Sequence, residues 1–349
     1  MNLPLNGTWK TGEPMPTSRS SFAYANIGKK IYCAGGLITT TNSNATNVLE
    51  IYDTENKYWM TGKPMPESLY MMGSVAVGNE FYCLGGADAT SISNRIYIYD
   101  TTTNIWRVSP YTLPTARGAL RCCYVDGKIF CVGGIIDRTA QSWVFTDKVE
   151  ILDLASGTWS TGCPLPVKLG FGCLHHNNGL LYWLSGGHTS GTINSKKSYI
   201  YDIVNDHWTE GTDLPSNQIH YASDVCDEKI YIIGGTNYDT MQHQNTFLSY
   251  DINNDTYIAL PSMPTIRTAC GGVIVGNKIY VIGGTNEKLS NTVEIYPAEE
   301  PSSVDNKCCC CGSIKLEINI PVNNNLEMLD KLKEIVSAAK GCDNSDCCK

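Results

Sequence analysis

No run of about 18 apolar residues occurs anywhere in the 349-residue chain, so nothing in it reads as a membrane-spanning helix. The opening segment, MNLPLNGTWKTGEPMP, lacks a basic region followed by an apolar one and does not read as an export signal. Charged residues are scarce, at 17%, and acidic ones outnumber basic ones 34 to 26. The resulting net charge of -8 offers no attraction to nucleic acid or to an anionic membrane surface. Catalytic signatures are missing as well: there is no G-x-x-x-x-G-K-[ST], no G-x-S-x-G and no H-E-x-x-H. The six histidines show no paired ligand spacing, and the adjacent His175 and His176 fall on a strand whose side chains alternate faces. These absences point to a soluble, unexported, cytoplasmic chain that needs no cofactor.

Cysteine, by contrast, is abundant, with sixteen in all. A disulfide scaffold is not implied, because that device belongs to small chains without a core, and 42% hydrophobic content allows a large one. Cys33, Cys83 and Cys131 occupy a position where later copies of an internal repeat carry Trp183, Ile232 and Val281, so cysteine acts there as a small hydrophobe. Buried thiols of this kind suit a reducing cytosol, in which the N-x-T triplets at Asn6, Asn44 and Asn254 would stay unglycosylated.

That repeat is the dominant feature. Two adjacent glycines follow a strand-like run six times, in IYCAGG, FYCLGG, IFCVGG, LYWLSGG, IYIIGG and IYVIGG, the first glycines lying 50, 48, 53, 48 and 49 residues apart. Each copy has one order: a turn with MP or LP, an apolar segment, a short polar turn, the strand ending in Gly-Gly, a polar loop, and a third strand. A fourth strand begins at an aromatic, namely Trp9, Trp59, Trp106, Trp159, Trp208 or Tyr257. Short strands at this spacing, without helical periodicity, predict a four-stranded antiparallel unit repeated around an axis. The glycines let backbones approach closely and turn outward, an architectural role, and the aromatics pack between units.

The pattern resembles the kelch family, whose repeat of about 50 residues is marked by the double glycine, a Tyr-Asp after the third strand and a tryptophan on the fourth. Here the marks are Gly35-Gly36 through Gly283-Gly284, the series Asp53, Asp100, Asp153, Asp202 and Asp251, and the aromatics above. Pro297 replaces the last Asp, Tyr257 replaces one Trp, and the fourth copy carries an extra residue, expected near HHNNG. The resemblance implies an all-β, six-bladed propeller over residues 1–297. Because the chain opens on NGTW and the sixth copy stops at VEIYP, the N-terminal strand is expected to complete the last blade.

Framework positions recur, so function is sought where the copies differ. The position after the MP turn holds Arg19, Leu69, Arg117, Leu169, Gln218 and Arg267, and the loops after Gly-Gly should emerge at the same end. Tyr70, His188, His220 and Asn237 add to that face. Arginine and aromatic groups around a concavity suit an acidic or carboxylate-bearing peptide or loop, since guanidinium bonds carboxylate bidentately. In kelch propellers this face is where partner loops dock, which implies a non-catalytic protein-interaction module with Arg19, Arg117 and Arg267 as binding candidates. Those arginines equally suit a framework role, satisfying loop carbonyls or a blade carboxylate. The alternative function is an isomerase like the kelch-type sialic acid mutarotases, with His220 as general base.

From Ala298 the pattern breaks into a linker, 298–313, with the cluster Cys308 to Cys311. A strand IKLEINI and a helix near 325–340 are expected within a Cys-rich tail, 314–349, ending in CDNSDCCK with Cys342, Cys347 and Cys348. One strand and one helix make no core of their own, so the tail should pack on the propeller, on a partner, or in an oligomer. For its cysteines metal binding, acylation, redox cross-linking and no specific role are all open readings.

Overall fold

The computed structural model describes residues 3–40, 44–138, 142–188 and 196–297. The predicted linker and tail lie outside the described residues. In each copy the apolar segment and the strand before Gly-Gly form a hairpin closed by two residues, the geometry that demands positive φ. Gly28, Gly78 and Gly276 supply it with φ of 58°, 56° and 62°, as do the pairs Asp126-Gly127 and Asn178-Gly179. A third and a fourth strand add on antiparallel.

Six four-stranded antiparallel sheets result, and no helix is found among the described residues. Their inner strands are Ala23–Ile27, Gly73–Val77, Arg121–Val125, Cys173–Asn177, Ala222–Cys226 and Gly271–Val275. The first five sheets are continuous in the chain. The sixth takes its outer strand from the N-terminus, where Lys10 pairs with Ile295 and Thr11 with Glu294. Leu3 and Trp9 reinforce that join: Leu3 is buried and donates its N–H to the Tyr231 hydroxyl, and Trp9 packs 5.4 Å from Phe247 and 5.2 Å from Tyr296.

Each inner strand lies against the next, and Gly271–Val275 lies against Ala23–Ile27. At the mouth of these strands six residues with φ between 52° and 62° link the sheets through their backbones. Met71 N–H donates to Ser21, Ala119 to Met71, Phe171 to Ala119, His220 to Phe171, Ala269 to His220, and Ser21 to Ala269, at 2.7 to 3.2 Å. Every one of the six both donates and accepts, so the polar backbone at the centre is satisfied without water.

Between sheets the core is aliphatic and aromatic. Trp59, Trp106 and Trp208 stack on Tyr52, Tyr99 and Tyr201 at 4.9 to 5.2 Å, and each donates its indole N–H to a carbonyl of the preceding sheet's exit segment: Glu13, Lys63 and Cys163. Trp9 does the same to Pro261. The aromatics therefore pack between units as expected. Cys33, Cys83 and Cys131 are fully buried in this core, and burial pushes the Cys33 thiol up to about 12, in keeping with a hydrophobe's role.

The fourth copy needs a correction. Its inner hairpin, Cys173–Asn177 paired with Leu180–Leu184, has the same length as the others, so HHNNG holds no extra residue. Ser185, with φ 55°, stands where the other copies place the first glycine, and Gly187 bridges Gly170 as Leu37 bridges Ser20. In the other five copies the second glycine's N–H reaches a carbonyl of the next sheet's entry turn. Here the Ser185 hydroxyl donates to that carbonyl, on Gln218, at 2.7 Å.

Candidate functional site

The residue after Gly-Gly pairs with the residue three positions before the inner strand in every copy, as in Ser20 with Leu37, Tyr70 with Ala87 and Gly118 with Ile135. Entry turns and post-glycine loops thus share one end of the molecule, as the repeat predicts. This loop face is the candidate site.

Its three expected anchors, however, point inward. Arg19, Arg117 and Arg267 are at most 2% exposed. One terminal nitrogen of Arg19 donates to the carbonyls of Gly35 and Val48, the other to Cys33 O and, at 2.9 Å, to Glu50. Arg117 repeats this with Gly133, Lys148, Cys131 and Glu150, and Arg267 with Gly283, Thr292, Val281 and Glu294. Thr17, Thr115 and Thr265 donate hydroxyls to the same three glutamates. A buried guanidinium already paired with carboxylate has no donor fork to offer a ligand.

The framework role thus holds for all three, and the carboxylate that completes it is legible in the sequence. Thr-x-Arg in the entry turn occurs in the copies that carry Glu second in the third strand, in VLEIYD, VEILD and VEIYP. Where leucine replaces arginine, at Leu69 and Leu169, the glutamate is replaced by Tyr97 and Tyr199. In the fifth copy the corresponding positions hold Gln218 and Leu248, and Gln218 is fully buried, its amide donating to Gly234 O as the arginines do to their glycines.

The remaining candidates divide. Tyr70 and His188 are buried, His188 lying 5.6 Å from the Tyr238 ring while its carbonyl accepts from the Tyr238 hydroxyl. Asn237 is half-buried and caps its own loop, accepting from Asp239 N and Thr240 N. His220 sits at the central mouth, 3.8 Å from the Phe171 ring. Burial, with added repulsion from Arg121 and His243, pushes its imidazole down to about 3. A general base works best with a pKa near the operating pH, so His220 is poorly matched to the isomerase role. His175 and His176 do not converge either: one bonds Ser223 Oγ, the other accepts from Gly179 N.

A pH prediction follows. His220 and His175, the latter also near 3 through burial first and Arg121 second, bind fewer protons folded than unfolded between about 3 and 6.5. Their contribution is complete above 6.5 and is lost as pH falls through that window, whereas Asp224, raised to about 6 by burial, acts in the opposite sense from about 3.9 to 6. Two histidines outweigh one aspartate, so unfolding free energy should fall between pH 6.5 and 4. His220→Asn should flatten the slope in urea titrations across that range, and an unchanged slope would contradict the assignment.

What the loop face does present is a cleft of about 300 Å³ between the loops of the second and third sheets. Tyr70 and Ala87 line it together with Asp88, Ile136, Arg138 and Trp143. Asp88 is held ionised by the backbone N–H of Thr90 above all, and by Ser91 and both hydroxyls. Arg138 is exposed, lies 5.7 Å over the Trp143 ring, and donates to Ala89 O across the cleft. Ile38, Ile136, Met241 and Ile266, in the entry turns and post-glycine loops of different copies, are exposed, 37 to 65% of their surface open. Among the described residues, no group of three or more His, Cys, Asp or Glu side chains could hold a metal.

Comparison with known proteins agrees with the repeat. The model of the KLHDC2/KLHL20/DRC7 Kelch-repeats domain matches residues 6–168, and that of the Kelch motif matches 220–264 and 266–296. Kelch-like protein 36 of Bos taurus is 29% identical over 137 residues, covering 37% of this chain and 21% of that protein. Kelch-like protein 35 of Mus musculus is 31% identical over 135 residues, 38% of this chain and 21% of its own length. Kelch-like protein terF of Aspergillus terreus is 27% identical over 97 residues, 27% of this chain and 21% of its own length. The matches thus span about a fifth of these relatives. Taken with the double-glycine turns, the interleaved tryptophans and the recurring four-stranded sheets, they place the chain in the kelch-repeat family.

Proposed function

We propose that the chain is a non-catalytic protein-interaction module: a six-bladed kelch propeller, closed by its N-terminal strand, that docks a loop or peptide of a protein partner on the loop face. The pairing of Lys10–Thr11 with the sixth sheet and the circle of backbone bonds support the closed ring. The observation that carries the function is the division of labour between positions. Repeated polar groups are consumed by the frame, while the cleft beside Arg138 and Trp143 and the exposed apolar tips arise where copies differ.

An acidic or carboxylate-bearing partner segment remains the ligand class, but with Arg138 in place of Arg19, Arg117 and Arg267 as its contact. An arginine over an indole is an anchor of the kind that dominates interfaces. The buried, uncrosslinked character of Cys33, Cys83 and Cys131 supports action in the reducing cytoplasm.

The full chain used as bait should retain partner proteins that Arg138→Glu and Trp143→Ala each reduce at least tenfold, as hot-spot losses of about 2 kcal/mol or more do. Retention unchanged in both variants would remove the cleft from the reading. Retention lost equally on Lys29→Gln, at the opposite end of the sheets, would remove the face.

A further inference from the structure

A fourth arginine, half-buried on an inner strand, behaves unlike the three framework ones. Arg121 opens the inner strand of the third sheet and lines both a small void of about 40 Å³ under the central mouth and an axial cavity of about 380 Å³ bounded by all six inner strands. Its Nε donates to Gly172 O of the neighbouring sheet. Among the described residues its terminal nitrogens form no hydrogen bond and no carboxylate pairs with it, whereas Arg19, Arg117 and Arg267 each hold a glutamate. Arg121 is half-buried, so its guanidinium is screened in part by water and stays open to a ligand that can pair with it.

The ionisable groups that feel its charge are Tyr24, Tyr221, Cys122, Cys173, His175 and His220. Burial keeps all six neutral near pH 7, by raising the tyrosines and thiols and lowering the histidines, so none compensates it. Asp224 also lines the cavity, but its carboxylate accepts from Ile274 N at 2.6 Å and Val225 N at 2.8 Å and makes no ion pair with Arg121. The cavity therefore holds one cation without an ion-pair partner, one carboxylate held by backbone N–H groups, neutral imidazoles, and apolar wall from Val75, Leu174 and Val273.

We propose that this axial cavity binds a small organic carboxylate, its two oxygens on the terminal nitrogens of Arg121 and its apolar body along the inner strands. The planar fork of guanidinium matches carboxylate bidentately, and a single cation matches a monoanion rather than a phosphate dianion. The volume lies in the range of small-molecule sites. The site is distinct from the loop-face cleft and does not depend on it.

The test uses the full chain and butyrate as probe, titrated by calorimetry at constant ionic strength beside butyramide, inorganic phosphate and chloride. Saturable butyrate binding is expected, with butyramide and phosphate at least tenfold weaker. Arg121→Gln should weaken butyrate at least tenfold, and Arg121→Lys, which keeps the charge but loses the fork, should also weaken it. Lys29→Gln, on an exposed turn, should leave it unchanged. Absence of saturable butyrate binding, equal affinity for phosphate or chloride, or wild-type affinity in Arg121→Gln would each overturn the proposal. Should Arg121→Gln fail to fold for want of its bond to Gly172, wild-type affinity in Arg121→Lys overturns it equally.

Discussion

Arg117→Ala is expected to destabilise the protein by about 3–5 kcal/mol in denaturant unfolding, the cost of breaking a buried ion pair from one side. The substitution leaves the carbonyls of Gly133, Lys148 and Cys131 without their donor and Glu150, 5% exposed, with only the more distant Lys148 Nζ, at 3.9 Å, as its cation. Thr115 still donates to Glu150, which softens the loss without neutralising the charge. The second and fourth sheets show what the same place tolerates when both partners change together, for Leu69 faces Tyr97 and Leu169 faces Tyr199 in the corresponding positions. Arg117→Leu combined with Glu150→Tyr should therefore be more stable than the sum of the single losses predicts, by about 2 kcal/mol, within the range seen for groups in contact. A loss under about 1 kcal/mol for Arg117→Ala would show that water or a rearranged side chain serves those carbonyls. Additive single losses would show that arginine and glutamate are not one unit.

The second large effect concerns glycine. Gly78 and Gly85 lie in the same hairpin region with φ of 56° and 63°, so alanine meets a similar backbone penalty at both, about 1–2 kcal/mol. Their surroundings differ. A Cβ on Gly78 has nothing within 4 Å, whereas one on Gly85 would stand 2.2 Å from the Arg117 carbonyl oxygen and 3.0 Å from Leu113 Cδ1. That carbonyl belongs to the next sheet and accepts the N–H of Gly86, so the contact cannot relax without parting two sheets. Gly78→Ala should remain folded with a loss of about 1–2 kcal/mol. Gly85→Ala should lose more than about 4 kcal/mol or fail to accumulate as soluble protein. Equal melting temperatures for the two would mean that the sheets are not held together at the double glycine.

How far the sequence carries the reading can be judged from individual residues. The strand order, the hairpin turns, the shared end of the entry turns and loops, and the interleaved tryptophans were all visible, because each is a local pattern repeated at near-constant spacing. The place of Ser185 was misjudged, since counting from the visible glycines assigned the extra residue to HHNNG. The three arginines are correctly located at the entry turns, and the sequence leaves ligand contact and framework bond equally open for them, although Thr-x-Arg and a glutamate in the third strand rise and fall together across the copies. Arg138 and Trp143 are legible as variable loop residues of that end, but nothing in their own copy singles out a loop side chain that stands beside a neighbouring sheet's loop.

Periodicity alone thus determined that this chain builds recurring four-stranded sheets and that its first strand belongs with its last copy, since hydrophobic alternation, turn glycines and strand length act within tens of residues. Which side chains remain available to another molecule was decided only by the tertiary structure. Burial and charge pairing depend on groups brought together from distant segments: Glu50, Glu150 and Glu294 occupy three arginines. Six inner strands must meet before Arg121 is left facing a cavity without a carboxylate of its own.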